Sequence, residues 1–223
     1  AKPIFVDVDK YSWCISPDAV LAAITKQTKA IIAVNLYGNM ADYDKLIKIC
    51  KKNKIFLIED AAESLGSKYK KIKSGKFGIG SVFSFHRTKT IATGEGGILL
   101  TDNKILFEKC KLLRDHGRSP NSYDIQKIAY KYMPFNLQAS LGYSQFLRLK
   151  QIINKKREIL KKYKEQLKEF SLQFNVNDSN IYNGVWAVTV IVNPKYKITS
   201  KDLIKELAKY KIASRGFFRP LSS

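Results

Sequence analysis

The alternation of short apolar runs with helical patterns over the first 60 residues constrains this chain more than any other feature. Residues 29–34 (KAIIAV) and 55–59 (IFLIE) are aliphatic runs too short for helices, and both read as buried strands. Between them, over residues 40–52, Leu46, Ile47, Ile49 and Cys50 recur at helical spacing. Upstream, residues 4–8 predict an alternating strand, and Ser16 with Pro17 predicts a helix start, with serine as N-cap and proline at the first helical position. Strand, helix, strand, helix, strand predicts an α/β fold with a mostly parallel sheet, because parallel neighbours require crossover connections that helices fill. Such sheets bind ligands beyond the carboxyl ends of their strands, where Asn35 and Asp60 fall.

Two further apolar runs, 81–85 and 97–101, predict strands whose connection carries Lys89, Thr93, Gly94, Glu95 and Gly96. The glycines suggest backbone that passes close to something or adopts positive φ. A lysine beside an apolar, glycine-lined pocket loses solvation, and the free amine so favoured can form a Schiff base. The stretch alone also fits one of many solvated loop lysines. Elsewhere, residues 67–72 predict a hairpin, 102–116 a helix stopped by Gly117, and 119–131 an exposed loop. Residues 136–170 predict two helices or one bent helix, 185–192 a strand, and 200–210 a helix capped by Ser200. The expected division is a large domain over 1–145 and a linking helix with a small α/β domain over 146–223, each incomplete. The last residues, RGFFRPLSS, read as a loop interior, so the chain is expected to be a fragment of a longer protein.

With 223 residues, 45% of them hydrophobic, the chain can bury a sizeable core. No apolar run reaches the length of a membrane span and the first residues lack a leader pattern, which predicts a soluble cytoplasmic protein. Cys14, Cys50 and Cys110 are widely spaced, as suits reduced thiols rather than disulfides or zinc, and His86 and His116 are the only histidines. The formal charge of +21 raises a nucleic-acid reading, but the lysines are spread along the chain without a recognisable binding motif. A lysine bias on solvated faces accounts for them, and the field would still favour an anionic nucleotide.

Five words carry a more specific message: NLYGN at 35–39, IEDAAESLGSKY at 58–69, FGIGSVFSFHRTKTIATGEGGIL at 77–99, LLRDHGR at 112–118, and YKYMPFNLQASLGYSQFLRL at 130–149. In this order and spacing they closely resemble the DegT/DnrJ/EryC1/StrS family of sugar aminotransferases, over nearly the whole chain. The resemblance implies a fold-type I aminotransferase with pyridoxal 5'-phosphate as cofactor. It implies that Lys89 holds the cofactor as a Schiff base and then acts as general acid and base. Asp60 would pair with the pyridine nitrogen, Glu63 would lie against the ring near its phenolic oxygen, and Ser84 would donate to the phosphate. Asn136 matches an asparagine that reaches the neighbouring subunit's cofactor, which implies a homodimer with shared sites. Arg215 resembles a substrate-proximal arginine, although Gly216 stands where the family more often has proline.

The implied reaction moves an amino group from an amino acid, glutamate by expectation, to a nucleotide-linked keto-deoxy sugar. FHRTKT followed by TGEGG is most similar to enzymes acting on a 4-keto-6-deoxyhexose, as in perosamine synthesis. A pyridoxal-dependent sugar dehydratase is the nearest alternative, but there a histidine takes the lysine position. A basic nucleic-acid-binding protein without catalysis is the alternative from another class. Bland roles also stand beside each residue: Asp60 as a turn cap, Ser84 as strand filler, Asn136 as a helix N-cap, Glu63 as a solvated helix carboxylate; His86 and Arg87 fit either a place facing the sugar or its diphosphate or the roles of a structural histidine and a surface arginine. The family's leading segment, with a Gly-Ser/Thr phosphate word and a ring-stacking aromatic, has no counterpart here, nor does its final portion. The isolated chain is therefore expected to bind the cofactor poorly.

Overall fold

The structure is a computed structural model, and it describes residues 1–119 and 122–219. Residues 120–121 of the predicted exposed loop and 220–223 of the terminal segment lie outside that description. Helix α1 (Pro17–Ala23) starts as predicted: Ser16 is its N-cap, accepting from the Ala19 N–H, and Pro17 opens it. The expected strand over 4–8 does not form. Only an isolated bridge joins Val8 to Ile15, and Ile4 and Phe5 are exposed, because no neighbouring strand offers a ladder to this segment.

Strand β1 (Ala30–Val34), helix α2 (Tyr43–Asn53) and strand β2 (Phe56–Asp60) follow the predicted alternation. Asp42 caps α2 by accepting from the Lys45 N–H, and Lys54 ends it in the left-handed region at φ 55°. The two-residue strands β3 (Lys68–Tyr69) and β4 (Ile72–Lys73) form the predicted hairpin, before β5 (Gly80–Ser84) and β6 (Gly97–Leu100). The main sheet has the order β1-β2-β5-β6, with β1, β2 and β5 parallel and β6 antiparallel to β5.

Strand pleating sends alternate side chains to opposite faces. Ile31, Ala33 and Leu57 point to the covered face and pack with Tyr43, Leu46, Ile49 and Cys50 of α2 and Val20 of α1. The other face is open: Ile32, Val34, Phe56, Val82 and Leu99 are exposed on it. The strands read as buried from their apolar composition are thus half-buried, since continuous apolarity marks what both faces can bury rather than what covers them here.

Helix α3 (Lys104–Arg114) begins one residue later than expected, with Asn103 rather than Asp102 accepting from the Leu106 N–H. The long helical stretch resolves into α4 (Asn136–Leu147) and α5 (Leu149–Gln166), broken at Arg148. Beyond them come β7 (Leu172–Phe174), β8 (Ile181–Tyr182), β9 (Val190–Val192) and α6 (Ser200–Lys209). Thr199, not Ser200, caps α6, in a reciprocal pair with Asp202. Of the strand expected over 185–192, only β9 forms. Val185 sits at φ 55°, which no strand tolerates, and residues 183–187 instead form a buried connection. Strand β7 pairs with β9, while β8 pairs with β3 and so brings residues 181–182 back against the first half of the chain.

Candidate functional site

Three loops that follow the carboxyl ends of β1, β2 and β5 supply Tyr37, Glu63 and Lys89, and a fourth segment from residues 175–187 closes over them. The Lys89 Nζ donates to Glu63 Oε1 at 2.9 Å, and both side chains are largely shielded, 14% and 7% exposed respectively. The second Glu63 oxygen accepts from the Tyr37 N–H at 3.0 Å. Glu63 lies in a turn rather than a helix, and it is not solvated. The indole of Trp186 lies against the same amine, with Nζ 4.4 Å from the ring centroid. Its Nε1–H donates to the carbonyl of Thr88 at 2.7 Å, one residue before the lysine.

Register explains where the two neighbouring carboxylates of β2 go. Asp60 is paired with Val34 and Val82 and shares their open face, whereas Glu59 turns to the covered face and is fully buried. Among the described residues, Asp60 accepts from the Ala62 N–H through Oδ1 at 3.0 Å, so it does cap the following turn, and its Oδ2 is left open. Ser84 Oγ accepts from the His86 N–H at 3.2 Å, and its own hydrogen stays free to donate. His86 is engaged within its loop, with Nδ1 3.1 Å from Thr88 Oγ1.

The remaining expected residues divide. Arg215 is exposed in the terminal segment, yet its guanidinium lies 5.6 Å from the Trp186 ring and 4.6 Å from that of Phe218. The indole that meets Lys89 therefore also meets Arg215. Asn136 is the first residue of α4 and not its N-cap, which is Phe135. It is exposed, and no contact among the described residues joins it to the Lys89 group.

Sequence reasoning missed the polar scaffold beneath this group. Asn35, Asn39, Asn175 and Asn183 are all fully buried. Asn183 Nδ2 donates to Asn39 Oδ1 at 2.8 Å, and Asn39 Oδ1 also accepts from the Val176 N–H. Asn175 Nδ2 donates to the Tyr37 and Ala187 carbonyls, and its Oδ1 accepts from the Thr189 N–H. Helix α5 adds donors from its other side: Lys156 to the Trp186 carbonyl, Arg157 to that of Asn183 and Lys164 to that of Asn175. Burial pushes the Lys156 and Lys164 amines below their ordinary range. Gly38, at φ +83°, admits this packing, since a Cβ there would collide with the Asn183 side chain. The one sequence signal for the scaffold is the set of isolated asparagines flanking apolar words, and that pattern equally marks turns.

An amine, a carboxylate with one free oxygen and a hydroxyl with a free hydrogen all stand at the carboxyl edge of the parallel strands, and these group types match part of what pyridoxal phosphate requires. Among the described residues no group of three or more His, Cys, Asp or Glu is placed to hold a metal ion. No helix among them is long and apolar enough to cross a membrane.

Comparison with known proteins gives this arrangement its context. The chain is 33% identical over 221 residues to the GDP-perosamine synthase of Vibrio cholerae, covering 99% of itself and 60% of that protein. Helicobacter pylori PseC, an aminotransferase involved in the biosynthesis of pseudoaminic acid, superimposes with a TM-score of 0.90 at 28% identity over 99% of this chain and 60% of that one. A Streptococcus pneumoniae protein solved in a PLP form gives 0.90 at 28% identity, covering 99% of this chain and 62% of that one. The chain thus spans about three fifths of the length of the relatives it matches. With the model of the DegT/DnrJ/EryC1/StrS aminotransferase family matching residues 1–223 in full, the chain belongs to that family and carries part of a fold-type I aminotransferase.

Proposed function

We propose that the chain serves a pyridoxal-phosphate-dependent aminotransferase that transfers an amino group from glutamate to a nucleotide-linked 4-keto-6-deoxy sugar. The observation that carries this reading is the shielded Lys89 amine, held 2.9 Å from Glu63 at the sheet edge that also presents Asp60. Pyridoxal phosphate, when bound, supplies a ring that accepts the electron pair released at the substrate carbon. Lys89 would hold the cofactor covalently through Nζ and, once displaced, move a proton at the reacting carbon with that same atom. The open Oδ2 of Asp60 would pair with the pyridine N–H and keep it protonated. Glu63 orients the amine, Ser84 would donate to the phosphate, and Arg215 would meet the anionic nucleotide portion. A lysine rather than a histidine at position 89 favours transamination over sugar dehydration.

A homodimer with shared sites belongs to the same reading, with Asn136 reaching the partner's cofactor. Helix α4 supports it. The sequence NLQASLGYSQFL is apolar, yet none of its residues is buried, and Leu137, Leu141, Phe146 and Leu147 stand exposed. The division into a cofactor-binding portion over 1–145 and a smaller portion over 146–223 is part of the proposal.

The test uses the full-length protein with pyridoxal phosphate, glutamate and a nucleotide-linked 4-keto-6-deoxyhexose. It should yield 2-oxoglutarate and the 4-amino sugar in equal amounts, and Lys89→Ala should abolish both. Release of 2-oxoglutarate without an aminated sugar would exclude this substrate class, and full turnover by Lys89→Ala would exclude the mechanism.

A further inference from the structure

We infer that Trp186 is a positioning residue for Lys89: its indole face holds the amine while its N–H ties down the loop that carries it. Two independent contacts meet in this one side chain. The ring centroid lies 4.4 Å from Nζ, and Nε1–H reaches the Thr88 carbonyl at 2.7 Å. A cation over an indole face is attracted by the ring quadrupole, and more strongly where water is excluded. Trp186 is itself 7% exposed. Its backbone carbonyl accepts from Lys156 Nζ at 2.9 Å, and its ring stacks on Tyr37 with centroids 5.5 Å apart and planes 15° from parallel.

Those anchors close a circuit around the amine. Tyr37 donates its backbone N–H to Glu63, Glu63 accepts from Lys89, Lys89 faces Trp186, and Trp186 stacks back on Tyr37. The ammonium can leave neither Glu63 nor the ring without losing a contact that the other does not replace. Glu63 alone would permit the lysine to pivot about a single hydrogen bond.

The consequence for chemistry rests on the aminotransferase reading, so the experiment separates the two. Competitive acetylation of the full chain with acetic anhydride, read at Lys89 by mass spectrometry against the other lysines, needs no cofactor and no turnover. Trp186→Leu removes both the face and the N–H and should raise Lys89 labelling about fivefold, whereas Trp186→Phe keeps a ring face but loses the tie to Thr88 and should raise it by an intermediate amount, about twofold. Equal labelling of Lys89 in all three proteins overturns the inference. Should Trp186→Leu fail to fold, the unmutated chain decides. After reductive ¹³C-methylation, the Lys89 resonance, assigned by its loss in Lys89→Arg, should lie upfield of the bulk lysine signals because of the indole ring current, and a resonance within the bulk overturns the inference. Borohydride trapping with pyridoxal phosphate, mapped on the full-length protein, is the separate arm. Absence of trapping at Lys89 with the labelling differences intact overturns the aminotransferase reading and leaves the positioning role supported.

Discussion

Glu59 offers the sharpest test of how the sheet edge is built. Its carboxylate is fully buried and collects five donors: Asn35 Nδ2 at 2.9 Å, Ser74 Oγ at 3.2 Å and the Gly75 N–H at 2.8 Å on Oε1, with the Phe77 N–H at 3.1 Å and Ser81 Oγ at 3.0 Å on Oε2. It thereby fastens β2 to β5, to the loop after β4 and to Asn35 past β1. Glu59→Gln keeps the shape and removes the charge. With the amide oxygen on the Oε1 side, three donors keep an acceptor, but the new NH2 faces the Phe77 N–H, a donor against a donor. Only Ser81 can rotate to accept. Each of the four surviving bonds weakens by about 1 kcal/mol, and the unpaired Phe77 N–H costs about 1–3 kcal/mol more. Relief from burying a charge returns several kcal/mol. The net expectation is destabilisation by about 2–4 kcal/mol. Glu59→Ala, which orphans the Gly75 and Phe77 N–H groups and leaves the Asn35 amide only its bond to Ser64 Oγ, should cost more. Urea unfolding followed by far-UV circular dichroism measures both, with an unchanged m-value as the control for an unchanged unfolded state. A Glu59→Gln variant as stable as the parent would refute the claim that the charge is satisfied by those five donors.

Other expectations concern thiols, pH, the apolar helix and Gly38. Burial pushes the Cys14 thiol up to about 12 from 9.0, so in that window the folded chain retains a proton that the unfolded chain has lost. The associated stability is intact below pH 9 and falls as the pH rises through the window, and Cys14→Ala should flatten that fall in alkaline urea titrations. A thiol reagent should label the half-buried Cys110 in the native chain and reach Cys14 only on unfolding. Lys156 shifts the opposite way, so its contribution to stability rises as the pH climbs toward 10.5, and the gap between the parent and Lys156→Met should change in that direction. If the proposed dimer forms through α4, Leu137→Asp combined with Leu141→Asp should shift the full-length protein toward monomer in sedimentation without loss of helicity, each change weakening association by at least about tenfold. Gly38→Ala forces a Cβ into Asn183 at φ +83° and should cost at least about 2 kcal/mol in chemical unfolding; a neutral change would show that the scaffold yields.

The legible part of the fold was the part governed by local rules. The Ser16–Pro17 helix start, the β1–α2–β2 alternation and the 68–73 hairpin all follow from capping, periodicity and turn chemistry within a few residues. What failed needed a partner to decide it. Residues 4–8 alternate like a strand but have no neighbouring strand to pair with. Residues 185–189 are β-rich, yet Val185 stands at φ 55° because Asn183 Oδ1 accepts from its N–H at 2.7 Å. Lys89 and Glu63 were visible through their family words. Trp186 was not, because its role depends on meeting a lysine 97 positions earlier, and an indole in an apolar run reads as core.

The lysine surplus becomes intelligible on α5. A helix reading LKQIINKKREILKKYKEQ looks like a basic stripe suited to phosphates, but its cations are largely engaged within the chain. Lys156, Arg157 and Lys164 turn toward the 175–186 segment and satisfy three of its carbonyls. Lys155 and Lys161 pair with Glu158 and Glu165 at helical spacing on the solvent side. Side chains that saturate backbone acceptors cannot also neutralise a nucleic-acid backbone without exposing those carbonyls unpaired. Arg157 makes the point most directly: its guanidinium donates to the Asn183 carbonyl at 2.6 Å and to Asn177 Oδ1 at 2.8 Å, and it lies 3.7 Å from the Tyr182 ring centroid. The basic character of this helix is therefore largely structural. It holds in place the segment whose indole meets Lys89.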